Sequence, residues 1–308
     1  MGGRKFWGPS NFHPSERRER AVSDAQLSAA LRSRSGPNRP TSPSTGGPTI
    51  LTTDFRYTCA GRTDVGIIRS GNEDNYLMIV DDGVFIVADG MGGHAAGEVA
   101  SEMAVRIIAR ELGDLTGRTE AQAAEKVRDS IVEANAAIFK RTIAEQDKRG
   151  MGTTATAMIL LNGNYLIGQV GDSRAYVLRD GELRQLTKDH SYVQEQVDAG
   201  YLSPEEARTH PYSNVITRCV GANVDVAPDV YLGSLRCGDL YFIASDGLTG
   251  MIEDEDLHRM MAQGQTPQEL ADQLVDEANR RGGLDNVTVV VVRIDGVGGQ
   301  SSSETTAA

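Results

Sequence analysis

The sequence is poor in cysteine, in aromatic residues and in long apolar runs. Only 3 cysteines occur in 308 residues, at Cys59, Cys219 and Cys237, and none belongs to a Cys-x-x-Cys pair. This spacing argues against a structural zinc site or a disulfide framework, and it predicts buried free thiols in a reducing compartment. No apolar run approaches the roughly 20 residues of a membrane helix, and no apolar signal core follows Met1. We therefore expect a cytoplasmic protein without a membrane segment.

Positive charge is also in short supply. The 43 Asp and Glu residues outnumber the 31 Lys and Arg residues, which gives a formal net charge of −12. Because a phosphate backbone repels such a surface, we expect no nucleic-acid partner. The acidic excess also suits a cation site, although a solvated surface is the more common cause of such an excess.

The two ends of the chain differ in composition from its middle. Residues 1–55 are rich in Arg, Ser, Pro and Gly, and such a segment buries too little apolar surface to offset its ordering entropy. We predict a disordered basic tail there, with a short helix around Ser23–Leu31, serving either as a solvated tail or as a docking or phosphorylation segment. Residues 296–308 predict a flexible C-terminal tail. The folded domain is predicted over 56–295.

Between the tails, strand-like runs and helical blocks alternate. The predicted strands are Tyr76–Val80, Val84–Ala88, Thr154–Leu161, Tyr165–Val170, Ala175–Leu178, Asp239–Ala244 and Val287–Ile294. The predicted helices are Gly97–Glu111, Glu120–Glu145, Asp254–Gln263 and Pro267–Arg280. Asn162-Gly163 and Asp180-Gly181 each predict a hairpin and therefore antiparallel pairing. Strands, a helix pair, more strands and more helices, in that order, indicate an α+β fold.

Four aspartates adjoin predicted strands. Asp89, Asp172 and Asp246 each end an apolar run, and Asp285 stands just before one. Each alone is explained by a tight turn, but four carboxylates brought to strand ends would repel one another unless cations neutralise them. Oxygen ligands without a His or Cys set favour Mg²⁺ or Mn²⁺ over zinc. The recurrence therefore predicts a centre of hard divalent cations.

A polar segment precedes the strand that begins at Tyr76. Arg69 can hold two oxygens of a phosphate through its planar guanidinium. Glu73 and Asp74 can accept hydrogen bonds from metal-bound waters. The alternative for this segment is an ordinary surface loop.

Together these motifs resemble the metal-dependent protein phosphatase family of the 2C type, and its bacterial serine/threonine phosphatase branch in particular. The matching segments follow the family's order from Thr63 to Ile294. They are Arg69…Asn72-Glu73-Asp74-Asn75, Ala88-Asp89-Gly90-Met91-Gly92-Gly93-His94, Gly152-Thr153-Thr154, Val170-Gly171-Asp172-Ser173-Arg174-Ala175, Leu186-Thr187-Lys188-Asp189-His190-Ser191, Ser245-Asp246-Gly247 and Asp285-Asn286-Val287-Thr288.

The resemblance implies a four-layer α-β-β-α sandwich, in which two antiparallel sheets are flanked by helix pairs. It implies two divalent metals, Mn²⁺ or Mg²⁺, bridged by Asp89, with the Gly90 carbonyl on one of them. Asp246 and Asp285 would bind the other metal, and Asp172 with Asp246 would bind an optional third. These ligands would lie at one end of the sandwich.

Other residues take supporting roles in the same family pattern. Arg69 matches the phosphate-binding arginine, and Glu73, Asp74 and Asn286 are expected to support the metal ligands. Some eukaryotic members carry a histidine near the metals, whereas this chain has none at the matching place, taken to be before Asp74. A metal-bound water is then the candidate for protonating the leaving oxygen. His94 is either a further catalytic candidate or a structural residue.

The implied reaction is hydrolysis of phosphoserine and phosphothreonine in proteins. A water bridging the two metals attacks phosphorus in line, without a phosphoenzyme, while Arg69 and the metals stabilise the phosphoryl oxygens. The expected partners are phosphorylated proteins, including a bacterial serine/threonine kinase that the enzyme opposes, and the chain is expected to be a monomer.

Residues 191–218 correspond to the family's flap beside the active site, or else to a surface helical insertion. Within them we predict a helix from Gln194 to Ala199 that is ended by Gly200, and a second helix that Ser203 caps and Pro204 begins. His190, just before the flap, is expected to brace the fold.

Two other functions stay open at this stage. A binding module with the fold but without chemistry would have lost a metal aspartate, and Asp89, Asp172, Asp246 and Asp285 are all present. A hydrolase of one small phosphorylated metabolite, or of a single signalling adaptor, would differ from a general protein phosphatase mainly in its flap and surface. The sequence alone does not distinguish these substrates.

Overall fold

The computed structural model describes residues 49–51, 55–92, 96–113, 115 and 117–297. The strands in this part are β1 (Thr49–Leu51), β2 (Phe55–Asp64), β3 (Asp74–Ile79), β4 (Val84–Met91), β5 (Gly152–Thr153), β6 (Ala155–Leu161), β7 (Asn164–Val170), β8 (Arg174–Arg179), β9 (Glu182–Gln185), β10 (Asp229–Ser234), β11 (Leu240–Ala244) and β12 (Val287–Val297). The helices are α1 (Ala96–Leu112), α2 (Glu120–Ala144), α3 (Tyr192–Asp198), α4 (Pro204–Arg208), α5 (Asp246–Thr249), α6 (Asp254–Met261) and α7 (Pro267–Arg280).

The strands form two sheets in which every described pairing is antiparallel. One sheet has the order β1-β2-β12-β11-β8-β9, and the other has the order β10-β7-β6-β4-β3 with β5 paired to β4. Both predicted hairpins are present, since β6 pairs with β7 and β8 pairs with β9. Asn162 and Asp180 adopt φ values of 51° and 53° in their turns, which is the left-handed region that such two-residue hairpin loops require.

Alternation along β4 separates two apolar layers. Val84 and Ile86 face a core shared with α1 and α2, whereas Phe85 and Val87 face a second core between the sheets. Strand β4 is thus buried on both faces, which explains why it reads as a continuous apolar run.

Alternation along β12 defines the third layer of packing. Val290 and Val292 belong to the core between the sheets, and Val289 and Val291 pack with α6 and α7 on the opposite face. The order of layers is therefore helices, sheet, sheet and helices, and the predicted four-layer α-β-β-α sandwich is confirmed.

Several predicted boundaries need correction. The sequence indicated no strand at β2 or β10, and β1 lies inside the predicted tail, where Ile50 is paired with Tyr57. Strand β12 runs to Val297, two residues into the predicted C-terminal tail. Residues 1–48, which include the predicted helix around Ser23–Leu31, lie outside the described part, as do residues 298–308.

The cysteines are free but not uniformly buried. Cys59 is buried, Cys219 is half-buried and Cys237 is exposed. The prediction of buried thiols is therefore right for Cys59 and wrong for Cys237, which lies in the turn between β10 and β11. No helix in the described ranges combines the length and apolarity that a membrane span requires.

Candidate active site

Five aspartates meet at one end of the two sheets. Strand β3 begins with Asp74, which is directly opposite Asp89 near the end of β4. Asp172 lies in the turn between β7 and β8, Asp246 is the first residue of α5 after β11, and Asp285 comes two residues before β12. The carboxylates of Asp74, Asp172 and Asp246 all act electrostatically on Asp89, and that of Asp285 acts on Asp246 and Asp74. The four sequence-predicted aspartates are thus brought together, with Asp74 as a fifth.

Burial and mutual repulsion make these carboxyls weak acids. Burial raises the pKa of Asp89 well above its ordinary range, and the charges of neighbouring Asp74, Asp246 and Asp172 raise it further. Burial raises the pKa of Asp74 to about 7. Burial, followed by the charge of Asp246, raises the pKa of Asp172 to about 8. The cluster therefore retains protons near neutral pH unless a positive charge offsets its repulsion.

Two buried oxygens at this cluster lack a hydrogen-bond donor. They are Oδ1 of Asp246 and Oδ1 of Asp74. Buried carboxylate oxygens without donors are costly, and oxygen-only donor sets are the ones that Mg²⁺ and Mn²⁺ prefer. The donor chemistry of the site therefore fits a hard divalent cation.

The carboxylates do not form a closed cage. Across the described ranges, no group of three His, Cys, Asp or Glu side chains is arranged so that it could hold a metal ion by itself. Protein ligands of Mg²⁺-like ions are often few, since waters complete the coordination shell. A cation here would thus depend on backbone carbonyls and waters as well as on carboxylates.

Gly90 brings backbone unusually close to the cluster. It is buried, and its N–H donates to the Glu73 carbonyl at 3.2 Å. A Cβ built on Gly90 would lie 2.2 Å from the Gly97 carbonyl oxygen and 2.5 Å from the Glu73 carbonyl oxygen. A larger residue would push β4 away from the N-terminus of α1, so glycine is required next to Asp89.

Two threonines hold the backbone of Asp89. Thr154 Oγ1 accepts the Asp89 N–H at 2.9 Å, and the Thr154 N–H donates to the Asp89 carbonyl at 2.8 Å. Thr153 Oγ1 donates to the same carbonyl at 2.9 Å, and Thr154 Oγ1 lies 2.7 Å from Ser173 Oγ, beside Asp172. The sequence matched Gly152-Thr153-Thr154 to the family without a role, and the structure supplies one: this segment fixes Asp89 relative to Asp172.

Arg69 lies at the rim of the cluster. Its Nη2 donates to Asp285 Oδ2 at 2.6 Å, and the two side chains are 49% and 35% exposed. The guanidinium therefore neutralises part of the cluster's charge and still faces solvent, where a phosphate can reach it.

Asn286 acts on the site through the backbone. Its Oδ1 accepts the Glu73 N–H at 2.8 Å, and its Nδ2 donates to the Val65 and Gly71 carbonyls, both at 2.9 Å. This buried amide ties the loop that carries Arg69 to the strand that follows Asp285.

Glu73 and Asp74 point to different neighbours. A Cβ built on Gly97 at the start of α1 would lie 2.8 Å from Glu73 Oε2, and Ser101 Oγ on the same helix donates to the Glu73 carbonyl at 2.5 Å. Ser245 Oγ donates to Asp74 Oδ2 at 2.8 Å. Glu73 thus anchors α1, whereas Asp74 lies among the clustered carboxylates.

His190 supports the loop that carries Asp172. Its Nδ1 accepts the Gly171 N–H at 3.1 Å, and its Nε2 lies 3.2 Å from Asp229 Oδ2. Burial lowers the pKa of His190, which keeps the ring neutral and able to accept that N–H. These contacts confirm the predicted bracing role. The other candidate histidine, His94, lies outside the described residues.

The segment 191–218 contains the two predicted short helices. Ser191 caps α3, and Ser203 caps α4 through a capping box with Glu206, with Pro204 at the first helical position. The segment returns to its own start, because the Thr217 N–H donates to the His190 carbonyl at 2.8 Å. It is therefore joined to the loop that bears Asp172.

Comparison with known proteins places this arrangement in context. The family model described as protein phosphatase 2C matches residues 69–278. The serine/threonine phosphatase stp of Listeria monocytogenes is 40% identical over 238 residues, which are 76% of this chain and 94% of that protein.

Solved structures of bacterial phosphatases resemble this chain in both sequence and fold. The Mycobacterium tuberculosis serine/threonine phosphatase PstP/Ppp aligns with a TM-score of 0.73 and 39% identity, over 78% of this chain and 99% of that one. The catalytic domain of the serine/threonine protein phosphatase PstP, in complex with 2 manganese ions, aligns with a TM-score of 0.70 and 38% identity, over 77% and 98%.

Proposed function

Because this chain belongs to the protein phosphatase 2C family, we propose that it is a metal-dependent enzyme that hydrolyses phosphoserine and phosphothreonine in proteins. One observation carries the proposal: five aspartates converge at the end of the sandwich, with the exposed guanidinium of Arg69 beside them. The function also fits the relatives that are named serine/threonine phosphatases.

We propose that Asp89, Asp246, Asp285 and the Gly90 carbonyl hold two cations, and that Asp172 with Asp246 holds a third. The unpartnered Oδ1 of Asp246 and the manganese in a related structure support Mn²⁺ or Mg²⁺. When bound, the cations supply Lewis-acid activation of the attacking water and neutralise charge on the phosphoryl group.

The chain's own residues orient the reactants. Thr153 and Thr154 fix the backbone of Asp89. Its carboxylate therefore stays in place while substrate and product exchange at the site. Arg69 can turn its exposed guanidinium from Asp285 to the phosphoryl oxygens, where it stabilises the charge of the transition state. Asp74 keeps Oδ1 free of protein donors, so this oxygen can accept a proton or hydrogen bond from the attacking water.

The leaving oxygen needs a proton from elsewhere. No histidine in the described ranges is hydrogen-bonded to the five aspartates. We therefore propose that water at the site protonates the serine or threonine oxygen, and His94, outside the described residues, is the alternative candidate.

The surface position of the site favours protein substrates. Arg69 and Asp285 are 49% and 35% exposed, so a phosphate carried on a protein segment can reach them without an enclosing pocket. We further propose that the substrates include a serine/threonine kinase of the same cytoplasm, because such kinases themselves carry phosphoserine and phosphothreonine. We propose a monomer as the active form.

The test is a comparison of substrates in the presence of Mn²⁺. We expect kcat/KM for phosphothreonine and phosphoserine peptides to exceed the values for a panel of phosphorylated metabolites. A phosphorylated kinase should be dephosphorylated as well. Efficient turnover of one metabolite with negligible turnover of every peptide would contradict the proposal and favour a metabolite phosphatase.

A further inference from the structure

We propose that Val65, Ile67, Ile68 and Leu284, here called the apolar ledge, bind an apolar side chain that flanks the phosphorylated residue of the substrate. The inference rests on the proposed phosphatase function and adds a sequence preference to it. The occupant is thus a segment of a phosphoprotein with an apolar residue within about two positions of the phosphate.

All four residues of the ledge expose apolar side chains to solvent. Ile67 and Ile68 are each 65% exposed, Leu284 is 57% exposed and Val65 is 36% exposed. Contiguous apolar surface of this kind commonly marks a site of interaction.

The ledge is held in place by hydrogen bonds between its two segments. The N–H groups of Ile67 and Ile68 both donate to the Gly283 carbonyl, at 2.8 and 3.1 Å. The Val65 carbonyl accepts from Asn286 Nδ2 at 2.9 Å. A surface that is ordered before binding loses less conformational entropy when a ligand binds. These hydrogen bonds therefore favour a binding role.

The ledge is continuous with the proposed phosphate site. Ile68 directly precedes Arg69, and Leu284 directly precedes Asp285. Arg69 and Asp285 are themselves joined at 2.6 Å, so both halves of the ledge flank one ion pair. Residues of an extended peptide are spaced by about 3.3 Å. A peptide whose phosphate meets Arg69 therefore brings its neighbouring side chains within reach of the ledge.

The test compares two phosphothreonine peptides that differ only in their flanking residues, Leu in one and Ser in the other. The full chain is assayed with Mn²⁺ as wild type, as the double variant Ile67→Ser/Ile68→Ser, and as Leu284→Ser. Leu232→Ser is the matched control, because Leu232 is 52% exposed on β10. The measured quantity is the ratio of kcat/KM for the Leu peptide to that for the Ser peptide.

We expect the wild type and Leu232→Ser to prefer the Leu peptide by roughly tenfold, the discrimination typical of a small apolar contact. The ledge variants should bring the ratio close to one. An unchanged ratio in these variants, or a wild type that turns over both peptides equally, would overturn the inference while leaving the proposed function intact.

Two further outcomes are distinguishable. A wild-type dimer that Ile67→Ser/Ile68→Ser dissociates in light scattering would assign the ledge to a second copy of the chain and overturn the inference. Absence of turnover on both peptides and on p-nitrophenyl phosphate would contradict the proposed function, and the inference would fall with it.

Discussion

Arg69 and Asp285 lie 216 residues apart in the sequence, yet Nη2 of the arginine donates to Oδ2 of the aspartate at 2.6 Å. In the proposed function one of these residues binds phosphate and the other binds a cation. The ion pair therefore couples the two halves of the site, because each group must exchange its partner for a ligand.

Replacing Arg69 should separate these roles. We expect Arg69→Gln to lower kcat/KM for a phosphothreonine peptide by about 10²-fold or more, the scale for loss of a group that stabilises transition-state charge. Mn²⁺ should bind more tightly to this variant, because Asp285 loses a competing cation. Calorimetric titration and peptide kinetics check both effects, with Arg106→Gln on α1 as control. Weaker Mn²⁺ binding by Arg69→Gln would contradict the coupling.

Neutralising Asp246 should have opposite effects on stability with and without metal. In chelator, we expect Asp246→Asn to melt at a higher temperature than wild type, because one charge leaves a cluster of like charges. With Mn²⁺ at about 100 times its Kd, the wild type should gain about 2.7 kcal/mol for each bound ion, and the variant should lose the gain from the ion that Asp246 holds. Calorimetric melting measures both states, and an equal Mn²⁺-dependent gain in the two proteins would argue against Asp246 as a ligand.

The raised carboxyl pKa values predict how metal binding depends on pH. Asp74 and Asp172 have pKa values of about 7 and about 8, so Mn²⁺ must displace protons below those values. We expect affinity to rise between about pH 6 and pH 8.5, with proton release that fades toward the upper end. Calorimetry in two buffers of different ionisation enthalpy measures the released protons, and a pH-independent affinity would refute the prediction.

The same shifts set the sign of the pH dependence of stability in chelator. Unfolded carboxyls have a pKa near 3.9, so between about pH 4 and pH 8 the folded state binds more protons than the unfolded state. The free energy of unfolding should therefore contain a term that falls as pH rises through this window. The free energies of unfolding of wild type and Asp172→Asn, measured by denaturant melts, should converge at low pH, where the wild-type Asp172 carboxyl is protonated in both the folded and the unfolded state.

Close backbone packing at Gly90 predicts intolerance of a single methyl group. Gly90→Ala would place Cβ 2.2 Å from the Gly97 carbonyl oxygen, which forces β4 and α1 apart and moves Asp89. We expect loss of most activity and a lower melting temperature. Gly71→Ala is the control in the neighbouring loop, because its Cβ would meet nothing within 4 Å. Equal activity of the two variants would show that the packing at Gly90 is dispensable.

Much of the fold follows from local signals. Asn162-Gly163 and Asp180-Gly181 specify their hairpins through backbone conformations that few other pairs adopt. Strands β2 and β10 carry no comparable signal. Strand β2 contains Gly61 and Arg62, and it is a strand because it pairs with β12 along its length. Tertiary pairing outweighs propensity there, and a single sequence does not display it.

The residues of the site also include some that the sequence predicts and some that it does not. The aspartates were predictable because each lies where an apolar run meets glycine or polar residues. The role of Thr154 was not predictable, since it acts through a hydrogen bond to a backbone atom 65 residues away. A supporting role was expected of Asn286, but the backbone groups that it holds could not be predicted. Such contacts depend on which loops the fold brings together.

The central claim is that Asp89 joins two cations that the enzyme needs for hydrolysis. Its most direct test is the number of Mn²⁺ ions bound per chain by wild type and by Asp89→Asn, measured by equilibrium binding alongside phosphothreonine peptide turnover. We predict two tightly bound ions for wild type, loss of at least one in the variant, and turnover lowered by roughly 10³-fold. An Asp89→Asn protein that keeps both ions and wild-type turnover would contradict the account.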